Sequence, residues 1–172
     1  LLRWKHPVRG IVMPERFIPL AEEMGLIMTL GEWVLVEACR QTCEWLTRRR
    51  CRSDFVVSVN ISPCQLQQSN FFETVSRALE QAKLDPRHLS LEITESAVME
   101  HAEETVGRLA QFKQLGVGVE IDDFGTGYSS LSYLAHFPVD SLKISKLFTT
   151  RLGGDEEQAA LRSRLKSVMR TN

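Results

Sequence analysis

Four short runs in this chain alternate apolar and polar residues, and segments of helical periodicity separate one run from the next. In Phe55-Val56-Val57-Ser58-Val59-Asn60, one face carries Phe55, Val57 and Val59 and the other Ser58 and Asn60. Leu89-Ser90-Leu91-Glu92-Ile93-Thr94 sets Leu89, Leu91 and Ile93 opposite Ser90, Glu92 and Thr94. From Val117 to Asp122 the apolar parity is Val117, Val119 and Ile121, opposite Glu120 and Asp122. Ser141-Leu142-Lys143-Ile144-Ser145 sets Leu142 and Ile144 against Ser141, Lys143 and Ser145. An antiparallel sheet with one wet face alternates in the same way. The helical connections argue instead for parallel strands joined by right-handed crossovers, and so for an α/β fold.

The connections have the spacing of amphipathic helices. Segment 29–50 carries Leu30, Val34, Ala38 and Trp45, with Leu35, Cys39 and Leu46 widening the stripe. Segment 70–83 opens on Asn70 as N-cap, offers Phe71, Val75, Ala78 and Leu79 for burial, and stops at Asp85-Pro86. Segment 102–115 repeats the pattern with Val106, Leu109, Ala110 and Phe112, then meets Gly116. Shorter helices are predicted over 129–136 and 158–169, and a strand remnant at 1–4.

Each strand carries its most chemical residue late. Asn60, Glu92, Asp122 and Lys143 converge if the parallel strands curl into a barrel, at whose C-terminal mouth active sites sit. Asp122 and Asp123 cannot both face one side of a regular strand. For both to reach one site the chain must turn over at once, a turn that Gly125-Thr126-Gly127 permits. Carboxylates forced together repel, and a divalent cation relieves them; a solvated Asp-Asp turn fits the local sequence as well. Glu120 shares the parity of Asp122 one layer deeper, as a replacement carboxylate or, preferred, as the partner of an interior Lys or Arg.

With 172 residues, 43% of them hydrophobic, the chain can bury one substantial core, so a single domain is expected over 1–172. A net charge of −1 gives no field for DNA or RNA or for an anionic membrane surface. No apolar run is long enough to span a bilayer. Arg48-Arg49-Arg50 suits a solvated helix end. The cysteines (Cys39, Cys43, Cys51, Cys64) lack zinc spacing and read as free thiols of a reducing compartment, the cytoplasm. His6, His88, His101 and His136 read as structural or surface residues, and Gly153-Gly154-Asp155-Glu156 as the approach to a helix.

Several motifs in order then add a family likeness. They are Leu1-Leu2-Arg3-Trp4, the stretch from Pro14 to Glu23, Gly31-Glu32-Trp33-Val34-Leu35, Val59-Asn60-Ile61-Ser62, Glu92-Ile93-Thr94-Glu95-Ser96, the run Ile121 to Ser130, and Asp140-Ser141-Leu142-Lys143-Ile144. Together they resemble the EAL domain, the bacterial module that hydrolyses cyclic di-GMP to pGpG. The likeness covers 1–148, leaving 149–172 as linker and C-terminal helix. It implies a TIM-barrel-like fold with Mg²⁺ or Mn²⁺ at the strand ends. Asn60, Glu92 and Asp122 match metal ligands and Asp123 a ligand of a second metal. Lys143 matches the residue that contacts the attacking water or phosphate, and Glu95 the brace of the loop 123–129. Arg3 matches a phosphate grip, with Leu2 and Pro14 beside it at the substrate. Two cations then activate a water and stabilise both oxygens of an in-line displacement at phosphorus.

The likeness is incomplete. The name-giving Glu would precede Leu1, a later Glu-Gly-Val-Glu stretch is not in this sequence, and Ser145 stands where the family usually has Asp. The expectation is therefore an incomplete barrel with a weak or partial metal site and little hydrolysis by the 172 residues alone. A cyclic di-GMP receptor that does not cleave, or an interaction element, are the alternatives. Unpaired sheet edges further predict a homodimer.

Overall fold

A computed structural model describes residues 1–124 and 137–145. The expected turn at Gly125-Thr126-Gly127, the helices 129–136 and 158–169, and His136 lie outside these residues.

The chain opens with a hairpin that the sequence reading did not anticipate. Strand β1 (Trp4–His6) pairs antiparallel with β2 (Gly10–Val12), which corrects the expected remnant at 1–4: the strand starts at Trp4 and pairs locally. The imidazole Nδ1 of His6 accepts the N–H groups of Val8 and Arg9 at 3.1 and 3.2 Å, so this histidine is structural, closing the turn. Helix α1 (Pro14–Glu23) begins with proline at its first position, where a missing N–H costs nothing. The edge of Trp4 packs on Phe17 of α1, 6.2 Å between ring centroids.

Helix α2 (Ile27–Thr47) buries Ile27, Gly31, Leu35, Cys39 and Thr42. That line is rotated from the predicted stripe, and Val34, Ala38 and Leu46 flank it half-buried. The cause is Gly31, where an added Cβ would lie 2.0 Å from the Gln65 amide nitrogen. The bare backbone lets a neighbouring element press against that face.

Strand β3 (Val57–Ile61) runs into α3 (Pro63–Leu66) and α4 (Phe71–Ala82). A 3₁₀ turn at Pro86–His88 leads into β4 (Leu89–Thr94), which passes directly into α5 (Glu95–Glu100) and then α6 (Ala102–Leu115). Strand β5 (Gly118–Phe124) and strand β6 (Ser141–Ile144) complete a four-stranded sheet of order β3-β4-β5-β6. Every pairing in it is parallel and every neighbour is the next strand in sequence, the arrangement of a barrel wall.

Helix α4 buries Phe71, Val75, Ala78 and Leu79, the residues its periodicity selected. Asn70 holds the N-cap position, but its side chain makes no capping hydrogen bond. Helix α6 ends at Gly116, whose φ of +92° places it in the left-handed conformation that glycine adopts freely. Leu89, Leu91, Ile93, Val117, Val119 and Ile121 are fully buried between sheet and helices. At about 1.5–3 kcal/mol each, this face outweighs any exposed ion pair. Asp140 fixes the entry to β6: its carboxylate accepts the Val119 N–H at 2.8 Å and pairs with Lys113.

Candidate active site

The parallel register arranges the polar face of the sheet in rows. Asn60 is paired with Glu92, Glu92 with Glu120, and Glu120 with Ser141, one row across four strands. Thr94 and Asp122 are partners in the next row toward the C-terminal ends. Lys143 belongs to that outer row, between the pairs Ile121–Leu142 and Phe124–Ile144. Between those pairs two residues, Asp122 and Asp123, face the single Lys143, so β5 carries a bulge there. Asp123 has a φ of +53°, and the parity that buried Val119 and Ile121 resumes at Phe124. The chain therefore turns over at Asp123 itself, immediately after Asp122. Asp122 remains half-buried while Asp123 is exposed.

Lys143 reaches back from the outer row to the inner one. Its ammonium lies 2.7 Å from a Glu92 carboxylate oxygen and 2.8 Å from one of Glu120. The preferred reading of Glu120, an ion pair with an interior Lys or Arg, is met in the pairing, although the partner, Lys143, is partly exposed. Ser58 Oγ donates to the same Glu120 oxygen at 3.5 Å. Burial raises the pKa of Glu92; the hydrogen bond and charge of Lys143 oppose that rise, and the neighbouring Asp122 carboxylate adds to it. Lys143 also ionises above the usual lysine value: burial opposes its charge, but the hydrogen bonds to Glu120 and Glu92 outweigh it.

The ends of β3 and β4 are held by caps. Ser62 Oγ accepts the Cys64 N–H and donates to Glu22 of α1 at 2.6 Å. The Ser62 N–H in turn binds the Gln65 side chain at 3.2 Å, closing a capping box two residues beyond Asn60. The Ser62-Pro63-Cys64-Gln65 pattern was the available signal for this element, and the sequence reading passed over it. Thr94 caps α5 by accepting the Ala97 N–H at 3.4 Å. Glu95, the first residue of that helix, is 2% exposed, three positions beyond Glu92.

The structure brings together Glu92, Glu120, Asp122 and Lys143, with Asn60 beside Glu92 in register. Among the described residues, no three His, Cys, Asp or Glu side chains converge as a ready metal cluster. Arg3 donates to the carbonyls of Leu2 and Leu1 at 2.7 and 3.3 Å, and no hydrogen bond or ion pair among the described residues joins it to Lys143. Leu2 and Pro14 are half-buried near the hairpin and at the head of α1. The donors Asn60, Glu92 and Asp122 are all oxygen, the chemistry of a hard divalent cation. Glu92 and Asp122 repel each other, so positive charge is favoured where they meet. In donor type and charge, these residues fit such an ion.

None of the described helices is long and apolar enough to cross a membrane. Cys39, Cys43, Cys51 and Cys64 are free thiols, and burial pushes Cys39 up to about 11, away from reactive thiolate. His88 is buried with Nδ1 2.7 Å from the Phe55 carbonyl, a structural role.

Comparison with known proteins agrees with this geometry. The chain is 45% identical over 171 residues to MucR of Pseudomonas aeruginosa, named a bifunctional diguanylate cyclase/cyclic di-GMP phosphodiesterase, covering 99% of this chain and 25% of that protein. It is 42% identical over 148 residues to the cyclic di-GMP phosphodiesterase PdeR of Escherichia coli K12, covering 86% of this chain and 22% of PdeR. The chain thus spans about a quarter of the length of these relatives. The solved structure of the PaMucR phosphodiesterase in its c-di-GMP complex superposes with a TM-score of 0.88 at 45% identity, over 99% of this chain and 68% of that one. Residues 1–172 match the EAL domain as a family, and with the barrel-wall sheet and its row of carboxylates the chain belongs to the EAL domain family.

Proposed function

We propose that this chain binds cyclic di-GMP at the C-terminal ends of β3–β6 and takes part in its hydrolysis to pGpG. The observation that carries the reading is Glu92, paired with the Lys143 ammonium and set beside the Asp122 carboxylate, at the strand ends of an EAL domain. Asn60, Glu92 and Asp122 would hold Mg²⁺ or Mn²⁺, with Asp123 at the rim for a second ion. Such a cation supplies Lewis-acid polarisation of the phosphodiester and an acidified water. Lys143 brings fixed positive charge to where phosphate charge develops. Arg3, with Leu2 and Pro14, would hold the distal part of the dinucleotide.

A second reading, binding without cleavage, has one observation in its favour: Asp123 lies exposed at the rim while Asp122 is half-buried. Calorimetry with Mn²⁺, followed by cyclic di-GMP and chromatography of the products, separates the readings. Asp122→Ala is expected to weaken Mn²⁺ binding roughly tenfold or more. Equal heats in parent and variant would exclude the assigned site, whereas nucleotide binding without pGpG would favour the receptor.

The setting proposed is a bacterial cytoplasm, which the free thiols suit. A homodimer is also proposed, because β3 and β6 are the sheet edges among the described residues. Sedimentation equilibrium at micromolar concentration is expected to give twice the chain mass, and a single monomeric species would contradict it.

A further inference from the structure

Glu120 has no part in the metal reading above, yet it takes as close a hold on Lys143 as Glu92 does. The two glutamates are register partners on adjacent parallel strands, so their carboxylates project side by side from one face. Like charges so placed repel, and the Lys143 ammonium between them relieves the repulsion at 2.7 and 2.8 Å. Ser58, one row below Asn60 on β3, aims its hydroxyl at the Glu120 oxygen that also binds Lys143. Glu120 is thus steadied from both sides, and its side chain is 20% exposed against 41% for Lys143.

A divalent cation drawn to Glu92 and Asp122 competes directly with the ammonium for the Glu92 oxygen. Two cations do not share one carboxylate at hydrogen-bond distance without mutual repulsion. With Glu92 as its sole partner, Lys143 would be expelled toward solvent as the metal arrives. Its second partner prevents that. Three carboxylates and one ammonium also leave two negative charges, which one divalent cation neutralises.

We propose that Glu120 is a positioning residue that retains the Lys143 ammonium on the inner face of the sheet when a divalent cation takes Glu92. The proposal deepens the metal reading of Glu92 and Asp122 and rests on it. Glu120 acts through Lys143 and touches neither substrate nor metal.

Two-dimensional ¹H–¹⁵N NMR of the lysine ammonium groups, with the Lys143 resonance assigned by Lys143→Arg, reads the pairing directly. In the parent chain, that resonance should stand apart from those of exposed lysines such as Lys5 and Lys83, and remain apart when Mg²⁺ is added. In Glu120→Gln it should stand apart without metal and move onto the exposed lysines with Mg²⁺, while Glu120→Asp restores the parent behaviour. A Lys143 resonance in Glu120→Gln that ignores Mg²⁺, with Mg²⁺ binding shown by calorimetry, overturns the proposal. A metal-free arm keeps the two readings apart. In Glu92→Gln, Glu120 alone should hold the resonance, and adding Glu120→Gln should release it. If calorimetry finds no Mg²⁺ binding in the parent, the metal reading falls together with the retention built on it. A release in the metal-free arm then assigns the ion pair a purely structural role.

Discussion

Asp122 and Asp123 are adjacent in sequence but occupy different environments, and a single backbone angle separates them. The left-handed conformation of Asp123, φ +53°, inserts the extra residue of the bulge and returns Phe124 to the core. Asp tolerates that region better than most residues, because its short side chain can bond locally. A β-branched residue there should cost roughly 1–2 kcal/mol. Asp123→Val is expected to lower the unfolding free energy read from urea denaturation by that amount, and with it the midpoint, and Asp123→Gly to leave both unchanged or slightly raised. Equal midpoints for the Val and Gly variants would contradict a bulge centred on this residue. The bulge was legible in the sequence but went unread: apolar parity runs through Val117, Val119 and Ile121, then resumes at Phe124, a step of three. The reach of Lys143 back to the inner row was not legible. It depends on the register of β6 against β5, which no local pattern encodes.

The helices were easier to anticipate where burial alone selects them. α4 buries the four residues that its spacing picked out, since nothing but sheet and helix competes for that face. α2 departs because a side chain from another element intrudes. Gln65 is 4% exposed, its oxygen binds the Ser62 N–H, and its nitrogen occupies the space above Gly31. An alanine Cβ at Gly31 would meet that amide at 2.0 Å, so either the capping box opens or α2 shifts outward. Although the clashing atom ends a flexible side chain, the chain is buried and bonded and cannot simply swing away. Gly31→Ala should therefore destabilise by about 1–3 kcal/mol despite the better helix propensity of alanine. Chemical denaturation reads the change, and a stabilised variant would show that Gln65 has an alternative rotamer. The hairpin β1–β2 escaped the sequence reading because strands of three residues carry too few periods to register, and α3, equally short, was marked by its capping pattern alone.

Across the whole molecule, stability and function pull against each other on the polar face of the sheet. The apolar face holds the fold together, whereas the opposite face places Glu92 beside Asp122 and raises the Glu92 pKa through burial and that neighbour, against the pull of Lys143. A carboxyl whose folded pKa is raised stabilises the fold when protonated, and that contribution fades as pH rises through the unfolded value toward the folded one. Near neutral pH the metal-free site is accordingly a source of strain, as functional sites often are. Replacing Asp122 by Asn removes one of the repelling charges, so the metal-free variant should melt slightly above the parent, by the few degrees that about 1 kcal/mol produces in a domain of this size. A bound ligand reverses the order. Mg²⁺ at roughly a hundred times its dissociation constant should stabilise the parent by about 2.7 kcal/mol and leave Asp122→Asn nearly unmoved. The two melting curves must therefore cross on addition of metal. A variant that melts below the parent both with and without Mg²⁺ would mean that Asp122 serves the fold and not the cation.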